Sequence, residues 1–190
     1  MTSKIGPKNF TKVARLGTGC CGKVYLVESN GLAQDGRFAM KVVDKAEMLE
    51  LNRVRRALTE RELLSISSHP LIVTLYYSFQ TEKYLYLILE YVSGGDFFSI
   101  VNQQPNKRLT EKQAQFYGAE VLVALEYLHS LGFLYRDLKP ENVLVRASGH
   151  VVLSDFDLAF QQSKDVRLNI SPTKRKTFFS KRRRRRQVRC

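Results

Sequence analysis

Tyr135-Arg136-Asp137-Leu138-Lys139-Pro140-Glu141-Asn142 is followed, thirteen residues after Asn142, by Asp155-Phe156. Four of these residues have a chemical use. Asp137 can accept a proton from a hydroxyl, and Lys139 can neutralise a phosphoryl group in transfer. Asn142 and Asp155 offer the hard oxygens that magnesium prefers. Any one of them alone reads as an ordinary loop charge. Between the two halves, residues 143–145 and 151–153 alternate as a short hairpin around Ser148-Gly149.

Upstream of this run, Thr110 stands where a helix cap belongs, and the spacing predicts an amphipathic helix to about Ser130 with Phe116, Val121, Leu122, Leu125 and Leu128 on its apolar stripe. Gly94-Gly95 marks the change from strand to helix period. Before it, residues 10–16, 23–27 and 37–43 alternate as strands of an antiparallel meander, with turns at 17–22, Asn30-Gly31 and Asp35-Gly36. Residues 45–66 lack Gly and Pro and predict one helix that ends before His69-Pro70. Residues 72–79 and 84–91 predict two further strands, which completes a lobe of five strands and one helix.

Leu16-Gly17-Thr18-Gly19-Cys20-Cys21-Gly22-Lys23-Val24 carries a G-x-G-x-x-G spacing, which lets backbone N–H groups approach phosphate oxygens. The same spacing opens a dinucleotide-binding turn, and Asp44 lies about 20 residues on, where that motif wants an acid. That alternative requires a helix after Gly22. Strand alternation and two turns before Phe38 favour a glycine-rich hairpin instead. In the next strand Ala39 and Lys41 share a face. Lys41 in isolation reads as an exposed strand lysine, but it can also reach a phosphate. Glu60 precedes Leu63 and Leu64 at helical spacing, so its carboxylate can point inward and meet Lys41. Glu62, between Leu58 and Ile66, fits an apolar face equally well, and periodicity leaves both open.

Composition limits the remaining classes. The chain has 190 residues, 44% of them hydrophobic, enough to bury a core, and a net charge of +13. Ten of the cations lie in residues 171–190, which hold no acid, so the rest carries only +3 and is not charged like a nucleic-acid-binding globule. Cys20, Cys21 and Cys190 give neither a disulfide framework nor a metal-ligand spacing, which fits a reducing, cytoplasmic setting. No secretory or membrane-spanning run is evident. The basic run 174–189 suits an anionic lipid surface, with Phe178-Phe179 inserting, or a nuclear localisation signal, or carries no function.

The glycine loop, strand lysine, helix glutamate, catalytic loop and following aspartate together resemble the signature set of a eukaryotic protein kinase. Leu138-Lys139 resembles the serine/threonine branch. Tyr135 in the place of the usual histidine, with Glu90-Tyr91-Val92 and Gly94-Gly95-Asp96-Phe97-Phe98, is similar to the AGC group. The resemblance implies an α+β, two-lobed fold: an extension at 1–9, a lobe at 10–92 with the five-stranded antiparallel sheet and helix C, and a partial helical lobe at 93–160. A basic insert or tail would occupy 161–190. It implies ATP and Mg2+ as cofactors and protein Ser/Thr hydroxyls as acceptors. By position, Gly17, Thr18, Gly19, Cys20, Cys21, Gly22 and Lys23 would cover the nucleotide. Leu16, Val24, Ala39 and Leu144 would enclose adenine beside the gatekeeper Leu89, Glu90 and Val92 would bond it through backbone, and Asp96 would lie near ribose. Lys41 would pair with Glu60 rather than Glu62 and tether phosphates, Asp137 and Lys139 would act at the hydroxyl, and Asn142 with Asp155 would hold magnesium.

Two departures stand out. Asp155-Phe156-Asp157 replaces the usual Asp-Phe-Gly, a substitution similar to plant phototropin- and auxin-transport-type kinases and fungal flippase kinases. Asp157 is expected to use its tolerance of positive φ. The 35 residues after Asp155 contain no Ala-Pro-Glu signal, so an incomplete large lobe is expected. The alternative function is a nucleotide-binding scaffold without catalysis.

Overall fold

A computed structural model describes residues 5–19, 22–31 and 36–162. β1 (Phe10–Gly19), β2 (Gly22–Ser29), β3 (Arg37–Asp44), β4 (Leu75–Gln80) and β5 (Tyr84–Glu90) form one antiparallel sheet in the order β1-β2-β3-β5-β4. Alternation gives this sheet two apolar faces. Val27, Phe38, Met40, Tyr86 and Ile88 cluster with Phe10 on one side. Leu87 and the partly buried Leu89 turn to the other, where α2 (Val54–Ile66) packs.

The region predicted as one helix is two. α1 (Lys45–Glu50) is capped by Asp44, whose Oδ1 accepts the Ala46 N–H at 2.9 Å, so Asp44 caps a helix and the dinucleotide alternative falls. Asn52 breaks the run at φ 52°, a left-handed conformation that asparagine tolerates better than most residues. α2 then starts afresh and buries Glu60, Leu63 and Leu64, while Leu58 and Ile66 stay exposed. Strand β4 also begins later than expected, because Ile72 bridges Leu153 instead of joining the sheet.

The second lobe holds α3 (Phe97–Gln103), which the sequence reading missed, and α4 (Glu111–Ser130) behind a Thr110–Gln113 capping box. Burial on α4 centres on Ala124 and Leu128; Leu122 is 67% exposed and Phe116 46%. Both lie roughly 120° around the helix from Leu128, outside the core stripe to which they were assigned. β6 (Phe133–Leu134) pairs with β9 (Phe160–Gln161), and β7 (Val143–Val145) with β8 (Val151–Leu153). One core runs through both lobes, joining Leu63, Leu64, Ile72 and Leu87 to Leu128, Phe133, Tyr135, Val152 and Phe156. Among the described residues no helix is long and apolar enough to cross a membrane.

Backbones approach closely at Gly22, where a Cβ would stand 2.3 Å from the Val42 carbonyl oxygen. Relief would require β2 and β3 to separate. Gly22→Ala is therefore expected to cost about 1–3 kcal/mol and to lower the melting temperature by about 5 °C. Gly17→Ala, with open space at its Cβ, is the control expected to melt like wild type. Equal melting of the two variants would contradict the packing argument.

Candidate active site

Strand register sets the upper wall of the cleft between the lobes. Val24 pairs with Lys41, Lys41 with Leu87, and Ala39 with Leu89, so these side chains share one face. Gly17 pairs with Val24, and Leu16 is the extra residue of a β-bulge, 45% exposed. Gly17 and Gly19 sit in the β1–β2 hairpin with room where a Cβ would lie, which keeps their backbone open to approach. Lys23 is an exception among the expected nucleotide-binding residues. It is adjacent to Val24 in the strand and so turns to the opposite face, in a groove with Lys12, Tyr25, Tyr84 and Tyr86. Cys20 and Cys21 lie outside the described residues.

A cavity of about 480 Å³ is lined by Thr18, Gly19, Lys41, Glu60, Asp137, Lys139, Asn142, Asp155 and Asp157, among others. Lys41 Nζ donates to Glu60 Oε1 at 2.6 Å, to Glu60 Oε2 at 2.8 Å and to Asp155 Oδ1 at 3.0 Å. Burial works against the Lys41 ammonium, but Glu60 and then Asp155 outweigh it and hold its pKa above the ordinary value. Burial pushes the Glu60 carboxyl above its ordinary value, and Lys41 opposes that rise. Glu62 is exposed and accepts from Gln161 Nε2, which separates the two acids that periodicity could not.

The catalytic loop follows Tyr135, which is buried among the core side chains. Its hydroxyl donates to the Ser154 carbonyl at 2.5 Å and its ring lies 5.2 Å from that of Phe156. Burial, with Asp155 and Asp137 nearby, pushes the phenol well above its usual range and keeps it neutral. Phe156 is fully buried, so its packing anchors the residue next to Asp155. Asp137 Oδ2 accepts from Lys139 Nζ and from Asn142 Nδ2, both at 2.8 Å. Asn142 Nδ2 also donates to the Asp137 carbonyl at 3.0 Å, which commits its nitrogen and leaves its amide oxygen as an acceptor.

Asn142 and the half-exposed Asp155 thus present one amide oxygen and one carboxylate to the same cavity, a hard-oxygen set that fits magnesium. Among the described residues no group of three His, Cys, Asp or Glu side chains is placed to hold a metal. A single carboxylate suits a magnesium ion shared with phosphates better than one held by protein alone.

The backbone corrects one expectation. Arg136 and Asp155 adopt positive φ, at 61° and 52°, whereas Asp157 does not. Asp157 instead carries a contact: its Oδ2 lies 3.7 Å from Arg56 Nη1 on α2. Arg136 donates to the Leu158 carbonyl at 2.9 Å and covers the Phe160 ring. Asp96 bonds Ser99 N and Ser99 Oγ through its two oxygens, so its carboxylate caps α3. Leu89, Val92 and Leu144 pack at the margin of the main core.

A cleft with a glycine hairpin above, a lysine–glutamate pair inside and an Asp–Lys–Asn loop below has the arrangement of a protein kinase domain. Residues 10–179 match the protein kinase domain model, and the chain belongs to that family. It is 55% identical over 159 residues to serine/threonine-protein kinase nrc-2 of Neurospora crassa, covering 83% of this chain and 25% of that protein. It is 51% identical over 166 residues to flippase kinase 1 of Saccharomyces cerevisiae, covering 87% and 18%, and 51% identical over 175 residues to serine/threonine-protein kinase RHS3 of Arabidopsis thaliana, covering 92% and 34%. The chain therefore spans between about a fifth and a third of the length of these relatives. Phototropin-2 of rice and AGC1-5 of Arabidopsis thaliana, 51% and 52% identical, place it with the AGC group.

Proposed function

We propose that this chain transfers the γ-phosphoryl group of ATP to serine and threonine hydroxyls of proteins. The observation that supports it most is the convergence of Lys41, Asp137, Asn142 and Asp155 on one cavity, although 114 residues separate Lys41 from Asp155. Adenine would lie at the Glu90 and Val92 backbone, and the triphosphate would run beneath the hairpin toward Lys41. Asn142 and Asp155 would hold magnesium, which when bound supplies positive charge to the phosphate oxygens.

Asp137 orients the acceptor hydroxyl and takes its proton as the new O–P bond forms and the bond to the ADP oxygen breaks. Lys139, already bonded to Asp137, balances charge on the group in transit. The proposed setting is cytoplasmic. Residues 174–189 lie outside the described residues; their proposed partner is an anionic lipid leaflet, on charge alone, at about 1 kcal/mol per surface cation.

The test is phosphate transfer from ATP to a basic serine- or threonine-containing peptide. Asp137→Ala is expected to lower the rate about 10²- to 10⁴-fold while nucleotide still binds. Equal background from both proteins would overturn the enzyme reading for this chain. Nucleotide binding without transfer by the unmodified chain would favour the scaffold alternative.

A further inference from the structure

The guanidinium of Arg146, just past β7, joins three segments that are distant in sequence. Nε donates to Glu90 Oε1 at 2.6 Å and Nη2 to Glu90 Oε2 at 2.9 Å, a parallel pair of charge-assisted bonds. The third donor, Nη1, bonds the Pro70 carbonyl in the connection between α2 and β4. Arg146 is itself fixed, since its N–H donates to the His150 carbonyl and its own carbonyl accepts from Gly149, both at 2.9 Å. The side chains of Arg146 and Glu90 are 26% and 18% exposed, so solvent and salt screen the pair less than a surface contact.

Glu90 is the last residue of β5, where the chain leaves the sheet for the second lobe. Leu89 pairs opposite Ala39 on the cleft face, so the next side chain, Glu90, turns away from the cleft while its backbone remains at the edge. The connecting segment is also gripped further along. Val145 N donates to the Gly95 carbonyl at 2.9 Å, and a Cβ on Gly94 would stand 2.2 Å from the Val145 carbonyl oxygen. The end of β7 therefore holds the segment twice, through Val145 backbone at Gly94-Gly95 and through Arg146 side chain at Glu90.

We propose that Arg146 is a positioning residue for the base of the nucleotide, holding Glu90 from behind so that the 90–92 backbone keeps the orientation adenine requires. The proposal rests on the kinase reading of the cleft. A backbone already ordered loses little freedom when the base binds, whereas a released one must be ordered at the expense of affinity. Arg146 bonds none of Lys41, Asp137, Asn142 or Asp155 in the contacts described, so its effect belongs to the base and not to the phosphates. Lysine offers a point charge without the planar fork and is a poor replacement.

The experiment measures adenosine, ATP with magnesium, and magnesium tripolyphosphate binding to the full chain by calorimetry. Arg146→Ala is expected to weaken adenosine and ATP alike, by roughly tenfold, and to leave tripolyphosphate within twofold. In turnover this reads as a raised KM for ATP with kcat changed less than twofold. Arg146→Lys is expected to recover little of the loss, and adding Glu90→Gln to Arg146→Ala to cause little more, because the two residues act as a unit. Unchanged adenosine binding in Arg146→Ala overturns the proposal, as does equal weakening of adenosine and tripolyphosphate. A wild-type chain that binds neither adenosine nor ATP overturns the cleft assignment itself, and the proposal with it.

Discussion

Lys41→Met should melt about 10 °C below wild type and lose phosphoryl transfer by at least 10²-fold. The two losses have different origins. The Lys41 ammonium holds two carboxylates, but the Glu60 side chain is 3% exposed and that of Asp155 is 43% exposed. Asp155 can exchange the lysine for water at little cost, whereas Glu60 would be left as a buried, unpaired charge, which costs about 3–5 kcal/mol. The variant can escape by protonating Glu60, because burial pushes that carboxyl upward and the opposing pull of Lys41 is gone. A folded-state pKa raised above the unfolded value gives stability that is full at low pH and lost as pH rises through it. The melting deficit of Lys41→Met should therefore shrink on acidification toward pH 5, and Glu60→Gln in the same chain should recover much of it at pH 7. A deficit independent of pH and untouched by Glu60→Gln would show that the pair does not carry the stability.

Asp155→Asn should separate activity from folding in the other direction. The substitution removes the sole carboxylate of the proposed magnesium pair, and an expected rate loss of about 10²–10³-fold follows from losing that charge at the phosphates. Stability should hardly move. Asp155 sits at φ 52°, which asparagine also tolerates, its side chain is well exposed, and Lys41 keeps both bonds to Glu60. Nucleotide binding should also lose most of its dependence on added magnesium, which calorimetry with and without the metal would detect. Retained magnesium dependence together with normal transfer would remove Asp155 from the metal site.

The part of the site legible in the sequence is the part that local spacing encodes. Asp137, Lys139 and Asn142 fall within six residues, and their mutual bonds follow from one short loop. The face shared by Ala39 and Lys41 follows from strand alternation. Helical period alone leaves Glu60 and Glu62 open and only the resemblance selects Glu60; the physical reason is the position of α2 against the core, which buries Glu60 and leaves Glu62 exposed. Lys23 belongs to the glycine-loop motif by spacing, but strand alternation turns its side chain to the face opposite Val24, which the motif does not encode. Arg146 gave no signal, because a basic residue beside a hairpin turn is ordinary and its acidic partner lies 56 residues away. Asp157 was noticed for its backbone, but its side chain is what makes contact, with Arg56 on another element. The break at Asn52 was hidden because a single left-handed residue interrupts a helix without glycine or proline.

The segment that follows α2 is stitched to the second lobe by backbone. Val73 N donates to the Leu153 carbonyl at 3.0 Å, and Leu153 N to the Leu71 carbonyl at 2.9 Å. The chain leaving α2 is thus anchored to β8 by two main-chain bonds, so a tilt of the helix would pivot near its C-terminal end. Glu60 stands six residues from the C-terminal end of α2, a lever arm of about 9 Å, so a tilt of about 10° would carry its carboxylate some 1.5 Å. That displacement is enough to uncouple it from Lys41, and because Arg56 on the first turn of α2 reaches Asp157, the N-terminal end of the helix links the pair to the segment after Asp155.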